Sequence, residues 1–418
     1  MLWLGLAMNA HNPNEAGRTV LLASAIHWPV ASRMAMRFAQ AGCRVAALYP
    51  SKSHPLASTA SVASHHHFSV AHPQESLTLA LRDSGVEIVI PCDDFVLRHI
   101  YALYAMLPGT RDGQHAARII EQSLGDPGAY PLLASRHAVQ SAARAEGLNA
   151  AESFAIGNTA DLEALAQSLP FPWVLKADHS WGGAGVRFVN NLADARRFLE
   201  RAGAPPSLTK ALRQLIAKGE RAAIGEWLHG MQAALSAQAP APGLPANTVV
   251  SCWRGEVLAM ISLKVLAANG ETGPAAIVQI IENKQMEFTV RQMAATLRLS
   301  GFHGFDFMLD PDTGQASLIE VNARCSPPAH LNSGEGHDLV DAFCRRWTGV
   351  APAEQAPVHP DRIVAYFPQA WVADPTDPLL ETSAYDIPTG DPRFVNRMMQ
   401  VARRDRSILK LKTFLGAK

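Results

Sequence analysis

Residues 304–325 read GFDFMLDPDTGQASLIEVNARC. Two strand-like runs flank PDTGQ, in which Pro311, Asp312 and Gly314 are turn formers. The pattern predicts a β-hairpin. With the turn centred near Thr313, Asp306 falls across from Glu320, within one residue of register. Side chains alternate faces along a strand, so Glu320, Asn322 and Arg324 are expected to share a face with Leu318, away from Ile319, Val321 and Ala323. Carboxylate and amide oxygens at Asp306, Glu320 and Asn322 are hard ligands that suit Mg²⁺ shared with phosphates. They suit zinc poorly, because no Cys or His stands beside them at ligand spacing. Taken alone, the hairpin reads equally well as an amphipathic ribbon with a wet polar face. The rest of the chain decides between the two.

Upstream, VLKADHSWGGAGV (174–186) predicts an apolar strand ending at Lys176, a loop with Ser180, Gly182, Gly183 and Gly185, and a second strand. Glycines let backbone N–H groups approach phosphate oxygens, and a lysine adds a fixed charge. No Lys-Ser or Lys-Thr pair follows, so this is not a Walker A loop, and by itself such a turn is more often structural. RAAIGEWLHG (221–230) is read as a strand, residues 236–247 as a soft loop, and two helices are expected near 191–202 and 207–218.

In this order and spacing, VLKADHSWGGAGV, IGEWLHG and the 304–325 hairpin resemble the ATP-grasp superfamily, over about residues 126–345. The resemblance implies a Rossmann-like parallel-sheet α/β domain (1–125), a two-subdomain α+β ATP-grasp fold (126–350) and a C-terminal extension (351–418). It implies ATP and Mg²⁺, or Mn²⁺ in its place. The implied activity is a carboxylate–amine, or carboxylate–thiol, ligase acting on small molecules through an acyl phosphate. A phosphoryl-transfer or non-catalytic nucleotide-binding protein is the alternative, and a homodimer is compatible with the family.

Residue by residue, the resemblance assigns Asp306, Glu320 and Asn322 to the metal and Arg324 to the acyl phosphate. Lys176 and the 180–185 loop fall to the nucleotide phosphates, and Arg136 stands where many members have a lysine. The backbone of Glu226, Trp227 and Leu228 would read adenine, Gln232 would stand near the ribose, and Lys264 would meet the β- or γ-phosphate. Gly225 and Gln232 depart from the family, which often has carboxylates there.

Ahead of this region, TVLLASAI, VASRMAMRFAQAG and CRVAALY alternate strand, helix and strand, which predicts a parallel sheet covered by helices. The first turn lacks GxGxxG, so a dinucleotide site is disfavoured. Lys+Arg and Asp+Glu both number 37, which gives no electrostatic case for nucleic acid or anionic membrane as partner. Five scattered cysteines without a CxxC pair suit reduced thiols in a cytoplasm. The first residues read as a loose leader with no secretion signal, and no run is long enough to span a membrane.

Several tempting residues are read plainly. His65, His66 and His67 are taken as a loop, because successive residues cannot face one point. Asp93 and Asp94 are read first as a helix cap and second as substrate contacts. Cys325 is a packing residue, Ser326, His330 and Asn332 are candidate acceptor-pocket residues, and the tail from Ala402 is a solvated basic helix.

Overall fold

The computed structural model describes residues 17–82, 85–178, 185–270, 273–332, 334, 337–354 and 361–414, with side chains to 406. The leader therefore lies outside the described residues.

The first sheet joins β1 (Thr19–Ala23), β2 (Arg44–Tyr49), β3 (Ser64–His67) and β4 (Val86–Pro91), all parallel, in the order β3-β2-β1-β4. The β1 run TVLLA is buried along its whole length, as a strand covered on both faces must be. The histidine run proves to be β3 itself and not a loop. β3 is an edge strand whose residues alternate between half-buried and exposed, so polar side chains cost little there.

The second sheet is antiparallel: β5 (Ser153–Ile156), β6 (Trp173–Ala177), β7 (Val186–Val189) and β8 (Leu235–Gln238), in the order β5-β8-β6-β7. The third and largest contains β9 (Leu244–Trp253), β10 (Glu256–Ala268), β11 (Ala275–Ile281), β12 (Gly301–Leu309), β13 (Ala316–Asn322), β14 (Ile363–Tyr366) and β15 (Ala384–Asp386). Its order is β13-β12-β9-β10-β11-β14-β15. The stretch read as a soft loop thus holds most of β8 and the start of β9. The C-terminal segment is built into the large sheet through β14 and β15, and then forms the helix Pro392–Phe414. Phe394, Met398 and Ala402 of that helix are buried, while Arg403 and Arg404, in the tail expected to be solvated, are exposed.

The large sheet packs the helix Lys284–Thr296 on one face through Met286, Val290 and Met293, against Phe305 and Phe307. The other face meets the helix Leu339–Thr348 and the first domain, where Phe38 stands edge-on to Phe302 at 5.8 Å and Phe343 at 6.4 Å. Each such side chain, fully buried, contributes about 1.5–3 kcal/mol. This contact fixes the parallel sheet against the sheet that carries the hairpin.

RAAIGEWLHG is a helix, Ala222–Leu228, and not a strand. Its Ala222, Ala223 and Gly225 are buried against the first domain, while Trp227 and Leu228 point out. A Cβ on Gly225 would lie 2.6 Å from Phe95 and 3.1 Å from Val70, so only glycine permits this approach. Arg221 donates to the Pro50 carbonyl at 3.2 Å, and the His229 Nε2 lies 3.0 Å from the Val70 carbonyl. Docking surface, and not strand propensity, decides the conformation of this segment.

Candidate active site

The hairpin forms as expected, with Asp306 directly opposite Glu320 and Gly304 opposite Asn322. Asp310 accepts from the N–H groups of Asp312 and Thr313, and Gly314 takes the left-handed conformation that closes the turn. One detail differs. A bulge at Ile319 makes Phe307 pair with Leu318, so Leu318 turns into the core instead of sharing the Glu320 face. The bulge frees the Ile319 carbonyl from the ladder. Lys176 Nζ donates to it at 3.0 Å and Gln140 Nε2 at 2.5 Å. The small sheet and the large sheet are thereby tied at the bulge.

Around it, oppositely charged groups converge. Asn322 Nδ2 donates to Asp306 Oδ2 at 2.8 Å, and Arg136 donates to Glu320 Oε1 at 2.8 Å and to the Ala177 carbonyl. Burial would raise the Glu320 carboxyl, but Arg136 and Lys176 outweigh it and hold Glu320 below its ordinary value. Burial, reinforced by the Glu320 charge, pushes Asp306 up to about 7. Burial also pushes Asp178 up to about 6 and lowers Lys176. Arg324 is 5% exposed: Nε donates to Asp94 Oδ2 at 2.7 Å, its NH2 nitrogen donates to Asn322 Oδ1 at 3.1 Å, and the guanidinium lies 5.2 Å from the Trp28 ring.

The structure thus brings together Arg136, Lys176, Asp306, Glu320, Asn322 and Arg324. Ser180, Gly182 and Gly183 lie outside the described residues; Gly185 is buried and its carbonyl accepts from Ala177 at 2.8 Å. Lys264 does not join the cluster. The register Lys264–Ala246–Phe307 puts it on the face opposite the Asp306–Asn247–Leu263 row. A bulge between Val257 and Ala259 shifts the count by one residue, which is what turns Lys264 away. Glu226, Trp227 and Leu228 lie on the helix described above and offer no strand backbone, and Gln232 is exposed. The strand beside β6 is β8, which runs through 239–243 into β9 of the large sheet.

Sequence reasoning missed Asp178, Gln140 and Gln238 and ranked Asp94 low. Asp178 stands two residues after Lys176 in the same motif, which could have pointed to it. Gln140 Nε2 also donates to Gln238 Oε1 at 3.1 Å, a contact between distant segments that no local pattern announces. Asp93, by contrast, is the cap expected: it accepts from Val96, Ser24, Ala25 and Ile26.

Among the described residues no three His, Cys, Asp or Glu side chains form a metal cluster. The group at the hairpin is two carboxylates and an amide. An all-oxygen set, with the Asp306 carboxyl raised by burial beside the charged Glu320, fits a hard divalent cation.

No family model and no curated protein matches the sequence. Solved structures do match. The N5-carboxyaminoimidazole synthetase of Staphylococcus aureus, complexed with ADP, superposes with a TM-score of 0.58 at 12% identity, covering 84% of this chain and 83% of that one. The carboxyaminoimidazole ribonucleotide synthase of Aspergillus clavatus, complexed with ATP, gives 0.59 at 16% identity, over 83% and 81%. The biotin carboxylase domain of 2-oxoglutarate carboxylase from Hydrogenobacter thermophilus, with MgADP and bicarbonate, gives 0.56 at 16% identity, over 84% and 74%. The chain has the ATP-grasp fold. No described helix is long and apolar enough to cross a membrane.

Proposed function

We propose that the chain is an ATP-dependent ligase that joins a small-molecule carboxylate to an amine. The carboxylate oxygen attacks the γ-phosphorus of ATP, the bond to the β-phosphate oxygen breaks, and ADP leaves. The amine then attacks the acyl carbon of the acyl phosphate. A C–N bond forms, the C–O bond to phosphate breaks, and inorganic phosphate and a proton are released. The observation that carries this reading is the junction at the Ile319 bulge. There, Lys176 and Arg136 from the small-sheet side meet Asp306, Glu320 and Asn322 from the large sheet.

In this reading Asp306, Glu320 and Asn322 hold Mg²⁺, with Mn²⁺ as a substitute. The metal supplies neutralisation of phosphate charge that would otherwise repel the attacking carboxylate. Lys176 and Arg136 bind phosphate oxygens, a role they share with the glycine-rich 180–185 segment. Arg324, fixed by Asp94 and Asn322, faces the anion that develops as the acyl phosphate forms. The passage from β8 through residues 239–243 takes over the adenine-reading place expected of Glu226, Trp227 and Leu228. The nucleotides bound to the similar structures support ATP as the substrate.

The test is incubation with ATP, Mg²⁺, a panel of acids and hydroxylamine. Acyl phosphate is expected to be trapped as hydroxamate, with stoichiometric ADP. Release of AMP and pyrophosphate would overturn the acyl-phosphate route, and ADP without hydroxamate or amide would favour simple phosphoryl transfer.

A further inference from the structure

A cavity of about 290 Å³ lies outside the cluster just described, between the loop after β1, the turn at Gly219 and the C-terminal segment. Trp28 and His330 face it, and both belong to the surroundings of Arg324. The Trp28 ring lies against the Arg324 guanidinium, and His330 sits on the turn that follows Arg324 and Ser326. The inner wall of the cavity is therefore the outer side of the hairpin's end.

We propose that this cavity receives the amine substrate, and that this substrate is an amine with a flat apolar body that also carries a carboxylate. The proposal rests on the ligase reading above. Its volume is at the lower end of small-molecule pockets, so the ligand is of single-ring size. Trp28, Tyr366, Phe367, Val372 and Val401 supply flat and apolar wall.

The charges in the lining leave room for an anion. Among the described residues, Arg33, Lys218, Arg397 and Arg404 face Glu220, Asp386 and Asp405, four cations against three carboxylates. Arg33 is committed to Asp386, and Arg404 stands 3.8 Å from Asp405. Arg397 donates to the Ser53 carbonyl at 3.4 Å and has no carboxylate in ion-pair range among the described residues.

Two buried polar atoms are also unsatisfied there. Tyr366 Oη and Gln369 Oε1 have no hydrogen-bond partner among the described residues, though Tyr366 is only 2% exposed. Leaving such atoms unpaired is costly, so a ligand that pairs them gains accordingly. The hydroxyl can donate to a carboxylate, and the amide oxygen can accept from an amine. Both residues, with Arg397 and Val401, come from the C-terminal segment, which thereby sets the choice of acceptor.

The test uses titration calorimetry of the full chain in ADP and Mg²⁺ with three probes: L-phenylalanine, phenethylamine and 3-phenylpropionate. L-Phenylalanine is expected to bind, and the analogues lacking carboxylate or amine to bind at least about tenfold more weakly, the worth of one charge-assisted hydrogen bond. Arg397→Gln is expected to weaken L-phenylalanine by about the same factor. Val401→Trp and, independently, Val372→Trp fill the cavity and should abolish it, with ADP binding unchanged. The proposal is overturned if protein that binds ADP and Mg²⁺ binds none of the probes, or if L-phenylalanine binding survives both fillings. Intact probe binding without any ADP binding would instead overturn the ligase reading, so the two failures are told apart.

Discussion

Asp306→Asn should stabilise the metal-free protein while destroying its use of metal. Asp306 is held at about 7, against an ordinary value of 3.8, because it is buried beside the ionised Glu320. The folded state therefore holds a proton that the unfolded chain releases near pH 4, and stability falls as pH rises between those values. From pH 5 the slope is close to one proton, about 1.4 kcal/mol per unit, and it halves by pH 7, so over those two units the wild type loses about 2 kcal/mol from this group. Asparagine is nearly isosteric, keeps an acceptor for Asn322 Nδ2 and does not titrate. The urea-unfolding midpoints of variant and wild type should lie close at pH 5 and diverge by pH 8, the variant being the more stable. Millimolar Mg²⁺ with ADP should narrow the gap by stabilising the wild type alone. A stability difference that does not vary with pH, or a variant still stabilised by Mg²⁺, would refute the reasoning.

Glu320→Gln removes the partner of Arg136 and leaves two cations in a buried place; a stability loss of about 3–5 kcal/mol is expected, with phosphate release falling to background. Asp94→Asn loosens Arg324 without touching Lys176, so kcat should fall roughly 10–100-fold, about 1.4–2.7 kcal/mol, while KM for ATP holds. An equal rise in KM would show that Asp94 acts on nucleotide binding instead. Gly225→Val places a side chain against Phe95 and should undock the Ala222–Leu228 helix, costing about 1–3 kcal/mol. Faster limited proteolysis between residues 203 and 234 is the measurement; unchanged cleavage would count against the packing described.

Much of this site was legible because it depends on short-range patterns. The turn residues at 311–314 fix the hairpin register to within a residue, and that alone sets Asp306 opposite Glu320. The strand–helix–strand order of TVLLASAI, VASRMAMRFAQAG and CRVAALY gives the parallel sheet in the same way. What stayed hidden depends on single inserted residues and distant neighbours. The bulge near Leu258 decides which face Lys264 takes, and the bulge at Ile319 decides that Leu318 is core. Neither leaves a mark in composition. The Ala222–Leu228 helix was hidden for a different reason: a motif spaced like a hinge strand covers a segment whose conformation is set by docking on Val70 and Phe95. β3 escaped because three histidines look unlike a strand, and only their place at a sheet edge makes them one.

The order in which the large sheet is assembled has a bearing on synthesis. β9 to β13, with the whole carboxylate cluster, have left the ribosome before β14 and β15 are made. Until then the apolar β11, AAIVQII, presents a bare row of amides and carbonyls to water. A nascent chain stalled or cut near residue 350 would carry a nearly finished carboxylate cluster on a self-adhesive flank. Such fragments should collect in inclusion bodies, and the last two strands serve the molecule as a seal against its own copies.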